Sequence, residues 1–287
     1  MLIPTTTTHS DGLRLAGVTH SSDQPPLLLL HGVTRRWQTF LPIWSSLADR
    51  WQLHAVDFRG HGQSGNANGK YRVCNYVRDA VAYIETHFDR PTVVYGHSLG
   101  AMVAAAVAAE CGERVAGIVL EDPPLHTMGA QMDQTPLLSF FEALKQLAGD
   151  QRSLKAIASD LAEARLIDPG SLNEVRLGDL RDPVSLRFTA RCLQQLDPEV
   201  LTPILSMDWL RDFDVESVFR NVECPTLVLQ ADTRSGGMLT DLDASMIEVS
   251  VADAVRVRFD GCGHLIHWTQ TTALLNHVHG FLETLPR

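Results

Sequence analysis

The chain has 287 residues, 45% apolar and 20% charged, with a formal net charge of −10. That length suits one large domain or a core with an inserted lid, and the composition excludes a disordered chain, a fibre or a repeat array. The acidic balance gives no electrostatic footprint for nucleic acid or an anionic membrane, so neither is an expected partner.

Taken in chain order, residues 2–8 and 13–18 read as an N-terminal hairpin on a sheet edge. Four short apolar runs follow, at Pro26–Leu30 and at residues 53–56, 92–95 and 115–120, each ended by Gly, Asp or His. Runs of this kind are expected of parallel strands covered on both faces. Helical patterns lie between them at residues 40–50, 76–88 and 99–109, the last rich in alanine. Strand and helix in alternation imply a parallel sheet with crossover helices.

After Pro124 the pattern changes. Residues 126–221 carry helical candidates at Leu137–Leu147 and at 153–164, 184–195 and 215–219, with no strand expected among them. Breakers fall at Asp182-Pro183, Asp197-Pro198 and Thr202-Pro203. Strand character returns at residues 225–230 and Ala254–Phe259, before a last helix at 272–285. The expected organisation is a core of residues 1–125 and 222–287 interrupted by a helical cap at 126–221.

The five cysteines, Cys74, Cys111, Cys192, Cys224 and Cys262, are scattered and form no CxxC. Reduced thiols in the cytoplasm are the expectation, rather than a disulfide framework or a zinc cluster. The first ten residues have neither a basic start nor an apolar run, so no signal peptide is expected. The longest apolar runs, residues 27–30 and 101–109, fall short of the roughly 20 residues a membrane span needs.

Gly96-His97-Ser98-Leu99-Gly100 matches G-x-S-x-G and sits between a strand and a helix, the setting that this motif requires. A sharp turn there exposes a serine Oγ at the C-terminal edge of the sheet, and glycines remove the Cβ atoms that would clash. Ser98 is therefore the candidate nucleophile.

Three further features follow in order: His31-Gly32-Val33, the loop Asp57-Phe58-Arg59-Gly60-His61-Gly62-Gln63-Ser64-Gly65, and Gly261-Cys262-Gly263-His264. With the serine turn, they make nearly the whole chain resemble the α/β-hydrolase family. The resemblance implies an eight-stranded, mostly parallel sheet with helices on both faces and an inserted helical cap. It implies His264 as general base, with His267 as local competitor. His61 and His97 are read as structural or supporting. The backbone N–H groups of Leu99 and Val33 are the implied oxyanion donors.

A third group, a carboxylate, must hold the imidazole. Its common place in the family, counted from Ala231, is occupied here by Arg234. Asp232 lies two positions early. The alternative place, after the strand that follows the nucleophile helix, holds Asp122, 24 residues past Ser98. Asp122 is preferred, and Asp232, Glu121 and Asp241 stay open.

The expected activity is hydrolysis of a carboxylic ester or lactone through a Ser98 acyl-enzyme. Carbon–carbon hydrolysis of a diketone-like substrate is the alternative, and a non-catalytic ligand receptor a third reading. Dehalogenase and epoxide-hydrolase chemistry needs an aspartate at position 98. No cofactor or metal is implied, because His31, His61 and His264 lack ligand spacing. Met128, Met132, Leu137, Leu138, Phe140, Phe141, Met207 and Trp209 are candidate pocket residues, more so for cap core, and suggest an apolar small-molecule substrate. Arg35, Arg36 and Trp37 either reach the site mouth or, the preferred reading, are surface residues with one aromatic packed inward, and no arginine cluster marks a phosphate or polyanion pocket.

Overall fold

The computed structural model describes residues 2–8, 12–129, 132–135, 137–168, 170–171 and 173–285. Its main sheet has eight strands: β1 (Leu2–Thr8), β2 (Arg14–His20), β3 (Pro26–Leu30), β4 (Gln52–Val56), β5 (Thr92–His97), β6 (Val115–Glu121), then β9 (Thr226–Ala231) and β10 (Ala254–Phe259). Their order across the sheet is β1-β2-β4-β3-β5-β6-β9-β10. The β1/β2 and β2/β4 pairs are antiparallel, and the others are parallel. The expected edge hairpin and α/β architecture are both present.

The apolar run of β3 shows how such a sheet forms. Leu28 and Leu30 pack on one face, with α2 (Val73–His87) and α3 (Leu99–Cys111). Leu27 and Leu29 pack on the other, with α1 (Leu41–Ala48) and the C-terminal helix Thr271–Leu282. Side chains alternate across a strand, so only a strand buried on both faces needs four leucines in a row. All four are completely buried.

Between β6 and β9 lie α4 (Leu137–Leu147), α5 (Leu154–Glu163) and the helices Pro183–Gln194 and Val215–Arg220. The expectation of no strand in this insert is wrong. Strands β7 (Arg165–Ile167) and β8 (Glu174–Arg176) form a small antiparallel sheet of their own. Three-residue strands are too short for a period-2 pattern to register. The last helix runs Thr271–Leu282, close to its expected span, and a short helix Ile266–Thr269 precedes it, with Gln270 between them leaving helical geometry at ψ 38°.

Parallel pairing aligns the strand ends. Leu30 stands beside Gly96, His97 beside Glu121, and Glu121 beside Leu229. The residues just beyond these ends, His31, Ser98, Asp122 and the loop after β9, therefore share one edge of the sheet.

Candidate active site

Ser98 occupies the turn from β5 into α3 with φ 57° and ψ −119°, a backbone conformation that L-residues rarely adopt. Its N–H donates to the Glu121 carbonyl at 2.9 Å, and its carbonyl accepts from Ala101 and Met102. The glycines are steric requirements. A Cβ on Gly96 would lie 2.0 Å from the Gly100 oxygen, and one on Gly100 would lie 1.9 Å from the Leu30 oxygen. Gly100→Ala is therefore expected to abolish soluble folded protein. Gly280→Ala, with nothing within 4 Å of the added Cβ, should fold and melt slightly higher. Soluble yield and thermal melting check both.

Leu99 begins α3, so its N–H has no intrahelical acceptor. Val33 lies in the loop after β3. Among the described residues, neither N–H donates to a backbone carbonyl of a turn or loop. Two buried histidines shape that loop. His31 Nε2 accepts from the Phe58 N–H at 3.0 Å while its Nδ1–H donates to the Gly32 carbonyl at 2.7 Å. His61 Nε2 accepts from the Thr34 N–H at 3.2 Å, and its Nδ1–H donates to the Arg59 carbonyl at 2.8 Å. Each ring must be neutral to accept. Burial agrees: it holds His31 well below the ordinary value and lowers His61 to about 4. Asp57 ties the same loops together, accepting from the Trp37 and Gln63 N–H groups, and burial raises its carboxyl to about 6.

His264 follows β10, and its Nδ1–H donates to Asp122 Oδ2 at 2.6 Å. That bond leaves Nε2 as the nitrogen with a lone pair. Asp122 is fully buried at φ 47°. Its carboxylate also accepts from the N–H groups of Ala231 (3.2 Å), Met238 (2.8 Å) and Leu239 (3.1 Å). All three belong to the end of β9 and the stretch after it, so this region supplies donors rather than the acid.

The other acids are engaged elsewhere. Asp232 accepts from the Gly261 N–H at 3.1 Å and the Arg234 N–H at 3.0 Å, clamping the His264 loop against the end of β9. These bonds, that from Gly261 first, lower its pKa. Asp241 pairs with Arg256 and Arg258. Glu121 is fully buried and accepts from His267 Nδ1, the His267 N–H and the Tyr95 hydroxyl. His267 Nε2 meets Thr39 Oγ1 at 3.0 Å, so the local competitor of His264 faces into the protein. His97 Nε2–H donates to the His264 carbonyl at 2.9 Å, and burial holds His97 well below the ordinary value. His97, Glu121 and His267 offer metal-ligand atoms within 4.8 Å of one another. The Glu121 oxygens, however, already accept from protein donors, so the cluster closes on itself as a hydrogen-bond network.

Ser98 and His264 line one cavity of about 590 Å³, together with Val33, Thr34 and His97. Of the expected pocket residues, Met128, Leu137, Phe140 and Phe141 line it. Trp209 and Met132 are buried in the core instead, where the Trp209 indole donates to the Met128 carbonyl. Met207 is exposed, and Leu138 packs against the core. The cavity also takes Leu166 and Ile167 from β7, Leu177 and Leu186 from the insert, and Trp268 after β10. These are residues with no pattern in the sequence to single them out. Arg35 lines the cavity, the less favoured of the two places expected for it, and Arg181 from the insert joins it there. The two are far apart in the chain, so no sequence cluster could announce them.

The profile of the alpha/beta hydrolase fold family matches residues 25–271, and the chain belongs to that family. Over 98 residues the chain is 35% identical to a 2-(acetamidomethylene)succinate hydrolase of Mesorhizobium japonicum. That match spans about a third of each chain: 34% of this one and 35% of the relative. A solved structure of E-2-(acetamidomethylene)succinate hydrolase superposes with a TM-score of 0.76 at 22% identity, covering 99% of this chain and all of the other. The enol-lactonase of Burkholderia xenovorans LB400 gives 0.74 at 18% identity, over 97% and 100%. At such identities these likenesses show the fold. No helix among the described residues is long and apolar enough to cross a membrane.

Proposed function

We propose that this chain is a serine hydrolase that cleaves a carboxylic ester or lactone through an acyl-enzyme on Ser98. The observation that carries the reading is the His264 Nδ1–Asp122 contact at 2.6 Å, which leaves the lone pair on Nε2 of a ring that lines the same cavity as Ser98. His264 takes the Ser98 proton as Oγ attacks the carbonyl, then delivers it to the leaving group. Asp122 holds the tautomer and stabilises the imidazolium. The Leu99 and Val33 N–H groups receive the oxyanion, each worth roughly 3–4 kcal/mol to the transition state. Water then repeats the sequence on the acyl-enzyme. Residues 126–221 act as the cap over a core of residues 1–125 and 222–287, and supply most of the apolar wall. A relative that shares a third of its length with this chain is named as a hydrolase, in keeping with hydrolysis as the reaction class.

A fluorophosphonate probe tests the nucleophile. Wild type is expected to be labelled stoichiometrically and Ser98→Ala not at all, with the same loss in turnover of a panel of esters and lactones. Equal labelling of the two proteins, or none of wild type, overturns the reading. Turnover of diketones alone would move it to carbon–carbon cleavage.

A further inference from the structure

The cavity wall is mostly apolar, yet two guanidinium groups enter it. Arg35 follows Val33 in the loop after β3, and its Nη1 donates at 2.8 Å to Oγ1 of Thr189, a cavity residue on helix Pro183–Gln194. A guanidinium has five N–H donors, so this one bond leaves most of its capacity unused. Arg181 precedes the same helix and stands close enough for its charge to act on Arg35. Burial lowers the Arg35 pKa; Cys192 opposes that, and the nearby Arg181 charge adds a smaller lowering.

Among the described residues, no carboxylate lies within ion-pair distance of either group, in contrast to the buried Arg59, which pairs with Asp79. Of the two nearby acids, Asp182 acts on Arg181 through its charge without forming an ion pair, and the oxygens of both are taken by other donors. Asp182 caps helix Pro183–Gln194 through the N–H groups of Val184 and Ser185 and the Ser185 hydroxyl. Asp168, on the cavity wall, accepts from Gly170 N–H, Ser171 N–H and the Ser171 hydroxyl of its own turn. The part-buried Arg35 and the exposed Arg181 thus bring two like charges to one cavity wall, an arrangement that a bound anion relieves.

We propose that Arg35 and Arg181 form a subsite for a carboxylate carried by the substrate, away from the bond that is cleaved. The proposal rests on the reading of Ser98 as nucleophile for the position of the scissile carbonyl, but not for the binding of the anion. The substrate class becomes an acidic ester or lactone: apolar along its length, where Phe140, Phe141 and Leu186 lie, and anionic at one end. Planar, bidentate pairing with guanidinium is the geometry a carboxylate offers. Arg35 spans from the core loop to the insert, so filling the subsite also links the two walls of the cavity.

Calorimetric titration of Ser98→Ala with succinate, glutarate and adipate, and with their dimethyl esters, tests this without turnover. At least one dicarboxylate is expected to bind, and its dimethyl ester to bind at least tenfold more weakly. In the same background, Arg35→Gln and Arg181→Gln should each weaken the dicarboxylate by about 10- to 100-fold and leave the diester unchanged. Arg181 is exposed, so its variant should keep the parent melting temperature even if Arg35→Gln does not fold. In wild type, the monomethyl ester of the binding acid should show a higher kcat/KM than the dimethyl ester, and Arg181→Gln should erase the difference through KM. No binding by any dicarboxylate, binding unaffected by Arg181→Gln, or tighter binding of inorganic phosphate would overturn the proposal. Failure of fluorophosphonate labelling alone would remove the nucleophile reading and leave the titration result intact.

Discussion

Asp122→Asn is expected to lower ester turnover and fluorophosphonate labelling by about 10⁴-fold, while Asp232→Asn keeps most of both. The asymmetry follows from what each carboxylate touches. All four partners of Asp122 are donors: the N–H groups of Ala231, Met238 and Leu239, and His264 Nδ1–H. An amide in this place must turn its NH₂ toward donors whichever way it sits. With NH₂ at the Oδ2 position, His264 is driven to the tautomer whose Nδ1 accepts and whose Nε2 carries the proton. That Nε2 cannot remove a proton from Ser98. With NH₂ at the Oδ1 position, it faces the Ala231 and Leu239 N–H groups, and the fold loses stability. Asp232 meets its loop through the Gly261 and Arg234 N–H groups at a partly exposed site, where water replaces a lost bond. Labelling rates of both variants decide the matter. A large loss in Asp232→Asn with little in Asp122→Asn would assign the acid to the other strand.

Thermal stability is expected to fall steeply as pH drops from 6.5 toward 4, apart from any effect on catalysis. His31, His54, His61 and His97 are all buried, and burial lowers the pKa of each, with His54 and His61 at about 4. In this interval the unfolded chain binds a proton at each histidine and the folded chain does not. The unfolded state holds more protons, so stability rises with pH and is lost on acidification. Moving one such ring from 6.5 to about 4 couples roughly 3 kcal/mol to proton binding. Asp57 opposes the trend. Its carboxyl is raised from 3.8 to about 6, so its contribution is present at low pH and lost as pH rises through that range. Four protons against one leave a net slope of at most about 4 kcal/mol per pH unit. The melting temperature should fall by about 5–10 °C between pH 6.5 and 5.5. His54→Leu, far from Ser98 on β4, should make the slope shallower by about one proton and leave fluorophosphonate labelling intact. A melting temperature flat across this interval would contradict the neutral state assigned to these rings.

His31 and His61 give the acid effect a local target. Each accepts an N–H bond that holds the loops of Val33 and Asp57, and a protonated ring cannot accept. Acid therefore loosens the loop bearing the proposed oxyanion donor at Val33 together with the rest of the fold.

Local patterns carried much of this molecule into view. The four leucines of β3, the glycines around Ser98 and the breakers at strand ends all act within a few residues, where steric limits and burial speak directly through residue type. The sheet, the serine turn and the candidate base His264 were legible for that reason. The β7/β8 hairpin was not, because three residues hold too little periodicity. For the acid, spacing favoured Asp122 but left Asp232, Glu121 and Asp241 open. The register of β5, β6 and β9 brings Asp122 to His264 and leaves Asp232 to clamp the loop beside it. The cavity lay still further from view. Arg35 and Arg181 belong to separate elements, and only the packing of the stretch around helix Pro183–Gln194 against the loop after β3 brings them to one cavity. The sequence by itself determined the sheet and the serine at its edge, because strand burial and turn sterics are local. The tertiary structure decided the partner of His264 and the charge of the cavity, because both are distances between residues that meet only when the chain is packed.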